Sequence, residues 1–359
     1  MVRQQPFTVS PDFWASPGRG ILVGMRRREV LGIFGAAVMG PLTARAQETV
    51  PGTRGAGNPA RIAYVSFTSA AVAETYRRAR REGLLAFGWI EGRNAVIEER
   101  FAEGEDTRLP GIVDEILAMK PQVIVIDGAR VVNAFRKRGA VPPIVTAVVS
   151  DPIASGFIAS FARPGGNITG MAFQDAELIT KRAELLRDLV PSLARVALLN
   201  DPDARPGAAD TVAAAAEQAV SAHGLVPHRI DVRRSADLGP ALDMARAHGD
   251  QAVLQVSSPF FSANRGVLIR EAMRVQLPLS CESASFIALG CLVAYGPNFV
   301  EMHRRTAFYV DRILKGEQPA DLPVDQPTKF DLSINLKTAK ALGLTIPPPL
   351  LTRADELIE

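Results

Sequence analysis

The chain has 359 residues, which is enough for a sizeable buried core and more than one domain usually needs, so two lobes are expected. Hydrophobic residues make up 47% and aromatic residues only 6%, which is typical of an α/β protein rich in Val, Ile, Leu and Ala. The formal net charge of +3 comes from residues 1–46, and the remaining 35 basic and 36 acidic residues give no support to a nucleic-acid-binding face.

Residues 1–46 are predicted to be an N-terminal extension and an export signal peptide. A run of three arginines at 26–28 precedes an apolar stretch at 30–44, and a small-residue cleavage site follows at 44–46. The apolar stretch has 15 residues, whereas a membrane-spanning helix needs roughly 20, so an anchor is not expected. We therefore expect a periplasmic mature chain that begins near Gln47.

Two features of this leader stay open. The Arg27-Arg28 pair resembles a twin-arginine export signal, so both the general secretory and the twin-arginine routes are open. Residues 1–24 precede the basic run, so either Met1 or Met25 could be the start of translation. Beyond the leader, residues 47–60 are rich in Pro and Gly and are predicted to be a flexible tether.

From residue 61 onward, strand-like and helix-like stretches alternate. A first run of apolar strands is predicted at 62–67, 95–101, 123–126, 144–149 and 168–173. A second run is predicted at 196–199, 226–232, 252–256, 277–281 and 292–295. Two runs of β-α units predict an α/β fold of two doubly wound Rossmann-like lobes joined by a hinge.

Amphipathic helices are predicted at 72–87, 109–119, 176–190 and 300–314. A further short helix is predicted after the fourth strand, because Asp151 can cap a helix and Pro152 suits its first turn.

The most distinctive stretch of the chain runs from Ile144 to Phe173. It contains SDP-x-x-x-G-F and then RPGGN-x-TG. Further motifs are GWIEGRN at 88–94, KRAELLRDLVP at 181–191, AYG at 294–296, ILKGEQPADLP at 313–323 and INLKTAKALG at 334–343. Together and in this order, these stretches resemble one family of ABC-transporter substrate-binding proteins, whose characterised relatives take up tryptophan and other aromatic amino acids.

The resemblance covers nearly everything from residue 61 to residue 359 and implies a type I periplasmic binding protein. On this basis lobe 1 is expected to comprise residues 61–171 and 297–317, and lobe 2 residues 172–296 and 318–359. The expected function is to capture a small organic solute of amino acid or aromatic acid type by hinge closure. The expected partners are that small-molecule ligand and an ABC permease in the inner membrane, with a monomeric protein, no nucleic acid and no cofactor.

In open α/β sheets, ligands bind beyond the carboxyl ends of the strands, where helix N-termini present backbone N–H groups. The side chains at these ends are hydroxyls, amides, acids and a few aromatics, which suit a small polar organic ligand. The resemblance places the ligand cleft at the same loops. The predicted ligand-binding residues are Ser66, Phe67, Thr68, Ser69, Asp127, Gly128, Ala129, Ser150, Phe173, Asn200, Ser258, Glu282, Tyr295 and Asn298.

Several of these side chains have a second interpretation. Phe173 and Tyr295 could instead pack at the hinge. Asp127 or Glu282 could pair with a ligand ammonium group or remain solvated. The loop after the first strand lacks the His-Pro-x-Leu-Asp type of the amino-acid-binding branch, which leaves the identity of the ligand open.

The sequence offers little support for catalysis. Four histidines, His223, His228, His248 and His303, are expected on the surface, and their spacing predicts no metal site. Cys281 and Cys291 are interpreted as buried free thiols, with a disulfide as the open alternative. Two other functions are kept as alternatives: a ligand sensor for a membrane receptor, and a doubly wound enzyme that uses the same cleft.

Overall fold

The computed structural model describes residues 58–205 and 207–359. The predicted leader and residues 47–57 of the predicted tether lie outside the described residues. The first strand begins at Ala60. Among the described residues, every helix is too short or too polar to cross a lipid bilayer.

Within the described residues, the first sheet contains five parallel strands. They are β1 (Ala60–Ser66), β2 (Ala95–Phe101), β3 (Val123–Asp127), β4 (Ile144–Ser150) and β5 (Ile168–Phe173). Their order across the sheet is β2-β1-β3-β4-β5. The central strands β3 and β4 are buried along nearly their whole length, as parallel strands with helices on both faces must be.

The second sheet of the described chain contains seven strands. They are β6 (Arg195–Asn200), β7 (Val226–Asp231), β8 (Ala252–Gln255), β9 (Leu279–Cys281), β10 (Val293–Pro297), β11 (Phe330–Asn335) and β12 (Glu356–Ile358). Their order is β12-β11-β10-β9-β8-β6-β7, and β11 runs antiparallel to β10. From β6 to β10 this order repeats that of the first sheet, which confirms the predicted fold class of two doubly wound lobes.

Sequence analysis assigned no strands to the last forty residues, and β11 and β12 were missed. β11 reads FDLSIN, in which apolar and polar residues alternate as in a half-buried strand, so this period of two is a signal that could have found it. β12 has three residues, which is too short for a hydrophobic pattern to emerge.

Helices and turns connect the strands. The helices are α1 (Ala70–Ala86), α2 (Leu109–Ala118), α3 (Ala129–Arg136), α4 (Asp175–Leu189), α5 (Ala209–Ser221), α6 (Leu238–His248), α7 (Pro259–Ala263), α8 (Arg265–Arg274), α9 (Phe299–Leu314), α10 (Leu336–Ala341) and α11 (Pro348–Arg353). Short 3-10 turns occur at Asp106–Arg108, Ser235–Asp237, Ala284–Leu289 and Pro319–Asp321. Helix α1 packs closely on α9 at Gly83, where a Cβ atom would lie 2.5 Å from the Arg304 carbonyl oxygen.

The short helix predicted after Asp151 is wrong, because residues 152–156 form turns. Asp151 itself has a φ of 49°, which is not a helical conformation. Its carboxylate nevertheless acts at a helix start, since Oδ1 accepts a hydrogen bond of 3.2 Å from the N–H of Asp175, the first residue of α4. The capping chemistry was therefore predicted for the wrong helix.

The chain passes between the two sheets three times: after β5, after β10 and before β11. Helix α9 returns to the first sheet and packs on α1 and β4. The segment that follows it stays there, because Thr169 donates a hydrogen bond of 2.7 Å to the Leu322 carbonyl and the N–H of Ala172 donates one of 3.0 Å to Asp325. We therefore propose a first lobe of residues 60–173 and 298–325. Relative to the boundaries expected from the sequence, this moves residues 172–173 and 318–325 out of the second lobe and Pro297 into it.

The two cysteines are buried free thiols in the core of the second lobe. Their Sγ atoms lie 2.6 Å apart. Burial raises the pKa of the Cys281 thiol, which keeps it protonated and unreactive.

A glycine substitution tests the packing of β4 against β5. Gly170 has a φ of +124°, and a Cβ atom there would lie 2.3 Å from the Thr146 carbonyl oxygen. We expect Gly170→Ala to lower the free energy of unfolding by about 2 kcal/mol or more, because the new methyl group meets rigid backbone in a conformation that favours glycine. Denaturant unfolding measures the effect.

The matched control is Gly166→Ala in the Arg-Pro-Gly-Gly-Asn turn just before β5, where a Cβ atom would meet nothing within 4 Å. This control should leave the unfolding midpoint almost unchanged. Equal stability of the two variants would show that the contact between Gly170 and Thr146 does not constrain the sheet.

Candidate functional site

A cavity lies where the carboxyl ends of the strands in the two sheets face each other. Residues after β1, β3 and β4 line one side, and residues after β6, β8 and β9 line the other. In each sheet the strand order reverses at these strands, which is where open α/β sheets bind ligands. The free space is about 50 Å³, which is room for a few water molecules. A solute of amino acid size therefore enters only if the walls move apart.

The structure brings together eight of the residues predicted from strand ends. These residues are Thr68, Asp127, Gly128, Ala129, Ser150, Phe173, Ser258 and Glu282. They come from the ends of six strands that lie far apart in sequence. Their contact with a ligand remains a prediction.

Six predicted residues lie outside the cavity wall: Ser66, Phe67, Ser69, Asn200, Tyr295 and Asn298. Phe67 is fully buried in the hydrophobic core, because successive side chains along an extended chain point in opposite directions. Ser66 lies behind the wall and donates a hydrogen bond of 3.2 Å to the Asp127 carboxylate.

The remaining four have structural partners instead. Ser69 and Asn298 cap the N-termini of α1 and α9. Asn200 donates a hydrogen bond of 2.8 Å to Asp231. Tyr295 stacks on Phe330 with ring centroids 6.0 Å apart, which is the hinge-packing alternative.

Sequence analysis missed the other residues of the wall: Val72, Tyr76, Val148, Ala204, Arg205, Ser257, Pro259, Ser262, Ser285, Phe299 and His303. Two pairs among them are one helical turn apart, Val72 with Tyr76 on α1 and Phe299 with His303 on α9. This i, i+4 spacing behind a strand end is a signal that could have found them. Arg205 lies in a loop five residues beyond β6, and no sequence pattern indicates where its side chain points.

Arg205 is the central cation of the site. Its side chain is 2% exposed, and Nη2 donates hydrogen bonds of 2.5 Å to Asp175 and 2.8 Å to the Ser257 carbonyl. The same nitrogen donates to the Ser150 hydroxyl, and Nε lies 3.4 Å from the Asp151 carboxylate. Ser150 and Asp151 follow the first sheet, whereas Arg205 and Ser257 follow strands of the second. One guanidinium group thus connects the two lobes.

Asp151 and Asp175 share this cation. Burial and the neighbouring Asp175 carboxylate raise the pKa of Asp151 to about 6, while Arg205 opposes the shift. Asp175 also lies 3.6 Å from Arg182, a fully buried arginine of α4. The four groups therefore largely neutralise one another, and they leave little excess positive charge for a ligand.

Two further carboxyl groups line the cavity. Asp127 accepts hydrogen bonds from the hydroxyl groups of Tyr64 and Ser66, and burial raises its pKa. Glu282 accepts one hydrogen bond of 3.1 Å from Ser262 through Oε1, whereas Oε2 is buried without a hydrogen-bond partner among the described residues. Burial raises the pKa of Glu282 to about 7, against the opposing charge of Arg182. The Glu282 carboxyl group can therefore accept a hydrogen bond from a ligand or pair with a cationic group of a ligand.

The wall of the cavity also contains aromatic rings. His303 stacks on Tyr76 with ring centroids 4.5 Å apart, and Phe173 lies 6.0 Å from Phe299. The expectation of a surface position for His303 is wrong, because this face of α9 is covered by α1 and the first sheet. Burial and the nearby Arg80 guanidinium lower the pKa of His303 well below its usual value, so the ring is neutral.

Direct contacts between the two lobes close the cavity. Nε of Arg130, on α3, donates a hydrogen bond of 3.2 Å to the Asp201 carboxylate, which follows β6. Within the second lobe, Ser258 donates to the same Asp201 carboxylate and helps to hold it in place. Gly128 packs so closely on Pro259 that a Cβ atom would lie 2.3 Å from the proline ring. The structure therefore has its two lobes in contact.

Comparison with known proteins agrees with this architecture. A family model for ABC transporter substrate binding proteins matches residues 62–358. A tyrosine-binding protein from Clostridioides difficile (strain R20291) is 21% identical over 258 residues, which cover 72% of this chain and 73% of that protein.

Solved structures show the same fold. An ABC domain from Streptococcus pneumonia in complex with L-Trp has a TM-score of 0.77 at 19% identity, over 84% of this chain and 100% of that one. A conserved domain protein from Vibrio cholerae has a TM-score of 0.77 at 23% identity, with the same coverage. The ligand-free, open structure of a substrate-binding protein from Clostridium difficile has a TM-score of 0.59 at 18% identity, over 83% and 99% of the chains.

The raised pKa of Glu282 predicts a pH-dependent stability. The folded chain keeps this proton up to a pH of about 7, whereas the unfolded chain loses it near 4.5, so unfolding releases a proton in between. Stability from this group is therefore complete below 4.5 and falls as pH rises toward 7. We expect Glu282→Gln to gain stability relative to wild type across this window, by on the order of 3 kcal/mol.

Denaturant unfolding at both ends of the pH window measures this difference. The control is Glu177→Gln, the same substitution at an exposed glutamate of α4. The free energy of unfolding of this variant should differ little from that of the wild type at either pH. If the free energy of unfolding of Glu282→Gln follows the same pH dependence as that of the wild type from acid to neutral pH, burial does not raise the pKa of Glu282.

Proposed function

The chain belongs to the ABC transporter substrate-binding protein family, and from this premise we propose that it captures a small organic solute of amino acid type in the periplasm. It then delivers the solute to an ABC permease of the inner membrane. The observation that carries the proposal is the cavity between the lobes, where one carboxyl oxygen of Glu282 has no hydrogen-bond partner in the described part of the chain and aromatic rings contribute to the wall.

The charge of the cavity favours a ligand with an ammonium group. Glu282 and Asp127 add two carboxyl groups to a site in which Arg205 is already paired with Asp175 and Asp151. A ligand ammonium could donate to Oε2 of Glu282 and would lower its pKa by pairing with the ionised form. The ligand ammonium would therefore supply the positive charge that balances the carboxyl groups of the cavity.

A ligand carboxylate has a place at the opposite wall. Helix α3 begins at Ala129, directly after the cavity residue Gly128, so its first-turn N–H groups lie at the cavity wall. Helix N-termini favour anions by roughly 0.3–1 kcal/mol at exposed sites.

The body of the ligand would lie against apolar surface. Phe173 and Phe299 lie at two of the three crossings between the lobes, and Val72 and Val148 complete this part of the wall. An aromatic pair contributes about 0.5–1.5 kcal/mol beyond the area that it buries. An amino acid with an apolar or aromatic side chain satisfies all three parts of the cavity, and a sugar does not. The similarity to proteins named for tyrosine binding and solved with L-Trp supports this class.

Hinge closure is the proposed mechanism. The present cavity is too small for an amino acid to enter unless the lobes separate, and the three crossings between the sheets allow that rotation. The solute would bind to one lobe of the open form, and contacts from the second lobe would then favour closure. The permease would recognise the closed, monomeric protein.

Titration calorimetry against amino acids, the matching acids without the amino group, and sugars tests this function. We expect an α-amino acid with an apolar side chain to bind at least about tenfold more tightly than its analogue without the amino group, because only the amino acid pairs with Glu282. Glu282→Gln should remove most of that preference.

The exposed Glu177→Gln variant is again the matched control and should keep the wild-type preference. Preferential binding of a sugar would contradict the proposed solute class. Equal affinity for the amino acid and its deaminated analogue in the wild-type protein would refute the role of Glu282.

A further inference from the structure

A second cluster of polar side chains lies outside the cavity, in the second lobe. His228 is on the edge strand β7, His248 ends α6, and Asp250 precedes β8. One ligand atom from each of these residues lies within 4.8 Å of the other two. Sequence spacing could not reveal this cluster, because the two histidines are twenty residues apart on different elements.

The carboxylate at the centre of the cluster is buried, and the two rings converge on it. The Asp250 side chain is 0% exposed, whereas those of His228 and His248 are 21% and 40% exposed. Nδ1 of His228 lies 2.6 Å from Oδ2, and Nδ1 of His248 lies 3.1 Å from Oδ1. The ring centroids are 3.8 Å apart. The acid thus holds both imidazoles in fixed positions beside solvent.

We propose that His228, His248 and Asp250 form a binding site for a divalent transition metal ion such as Zn²⁺. Imidazole nitrogen and carboxylate oxygen are ordinary zinc ligands, with bonds of about 2.0–2.2 Å. Tetrahedral coordination separates two ligand atoms by about 3.4 Å at these bond lengths, so a small outward rotation of each ring makes room for the ion. Three protein ligands leave a fourth position that water can fill.

Arg195 is the group that competes with the ion. Its Nη2 atom lies 2.8 Å from Nε2 of His248, and its Nε atom lies 4.0 Å from the Asp250 carboxylate. The Arg195 side chain is 40% exposed, so it can turn into water when a cation arrives. Its positive charge nevertheless lowers the affinity for the ion, which makes this residue a useful probe.

The site is separate from the ligand cavity. Asp250 stands at the amino end of β8, whereas the cavity residue Ser257 follows its carboxyl end, roughly 20 Å away at about 3.3 Å per residue. A bound ion would connect the edge strand β7 to the start of β8 and would stabilise this end of the sheet. Metal binding therefore does not depend on the proposed solute.

Calorimetric titration of Zn²⁺ into the purified protein, without a histidine tag and after treatment with a chelator, tests the proposal. We expect one Zn²⁺ ion per chain and a higher melting temperature. His228→Gln and His248→Gln should each weaken binding by about tenfold or more. Arg195→Gln should tighten binding severalfold, a gain that misfolding cannot produce.

His223→Gln is the matched control, since His223 lies in the same lobe outside the cluster and should leave Zn²⁺ affinity unchanged. Circular dichroism verifies that each variant is folded. The proposal is overturned if His228→Gln and His248→Gln bind Zn²⁺ as tightly as wild type, if His223→Gln weakens binding equally, or if Arg195→Gln weakens it.

Discussion

The buried guanidinium groups of Arg130 and Arg205 bridge the two lobes at the site, and the geometry of the cavity depends on these contacts. Arg130 reaches from the first lobe to Asp201, and Arg205 reaches from the second lobe to Ser150 and Asp151. Charged groups lose hydration when they are buried, so such pairs add little net stability to the closed form. When the lobes separate, the same groups regain water. The contact between the lobes can therefore open, and a ligand with its own charges can shift the balance toward closure.

The repeated strand order explains why the polar groups meet where they do. In both sheets the order reverses beside the first strand of the lobe, and the loops on either side of that point diverge to leave a crevice. Two such crevices face each other, which places Asp127 on one wall and Glu282 on the opposite one. The glycine of the Ala-Tyr-Gly motif has a related role, because a Cβ atom on Gly296 would lie 1.8 Å from the Glu282 carbonyl oxygen.

The sequence predicted the sheets well and the site in part, for physical reasons. Buried parallel strands are continuous apolar runs, so their ends are visible, and Asp127 and Glu282 follow directly from them. The direction of a side chain at a strand end is less visible, which is why Phe67 was assigned to the cleft although it lies in the core. Arg205 could not be predicted, because its position depends on the path of a loop and on acids from two other segments.

Closure of the two lobes around the solute is the central claim, and small-angle X-ray scattering tests it most directly. The ligand-free protein should scatter as a more extended particle than the structure described above. Addition of the solute should reduce the radius of gyration toward that of the structure described above. An identical profile with and without a saturating solute would contradict the account, because the lobes would then not move when the ligand binds.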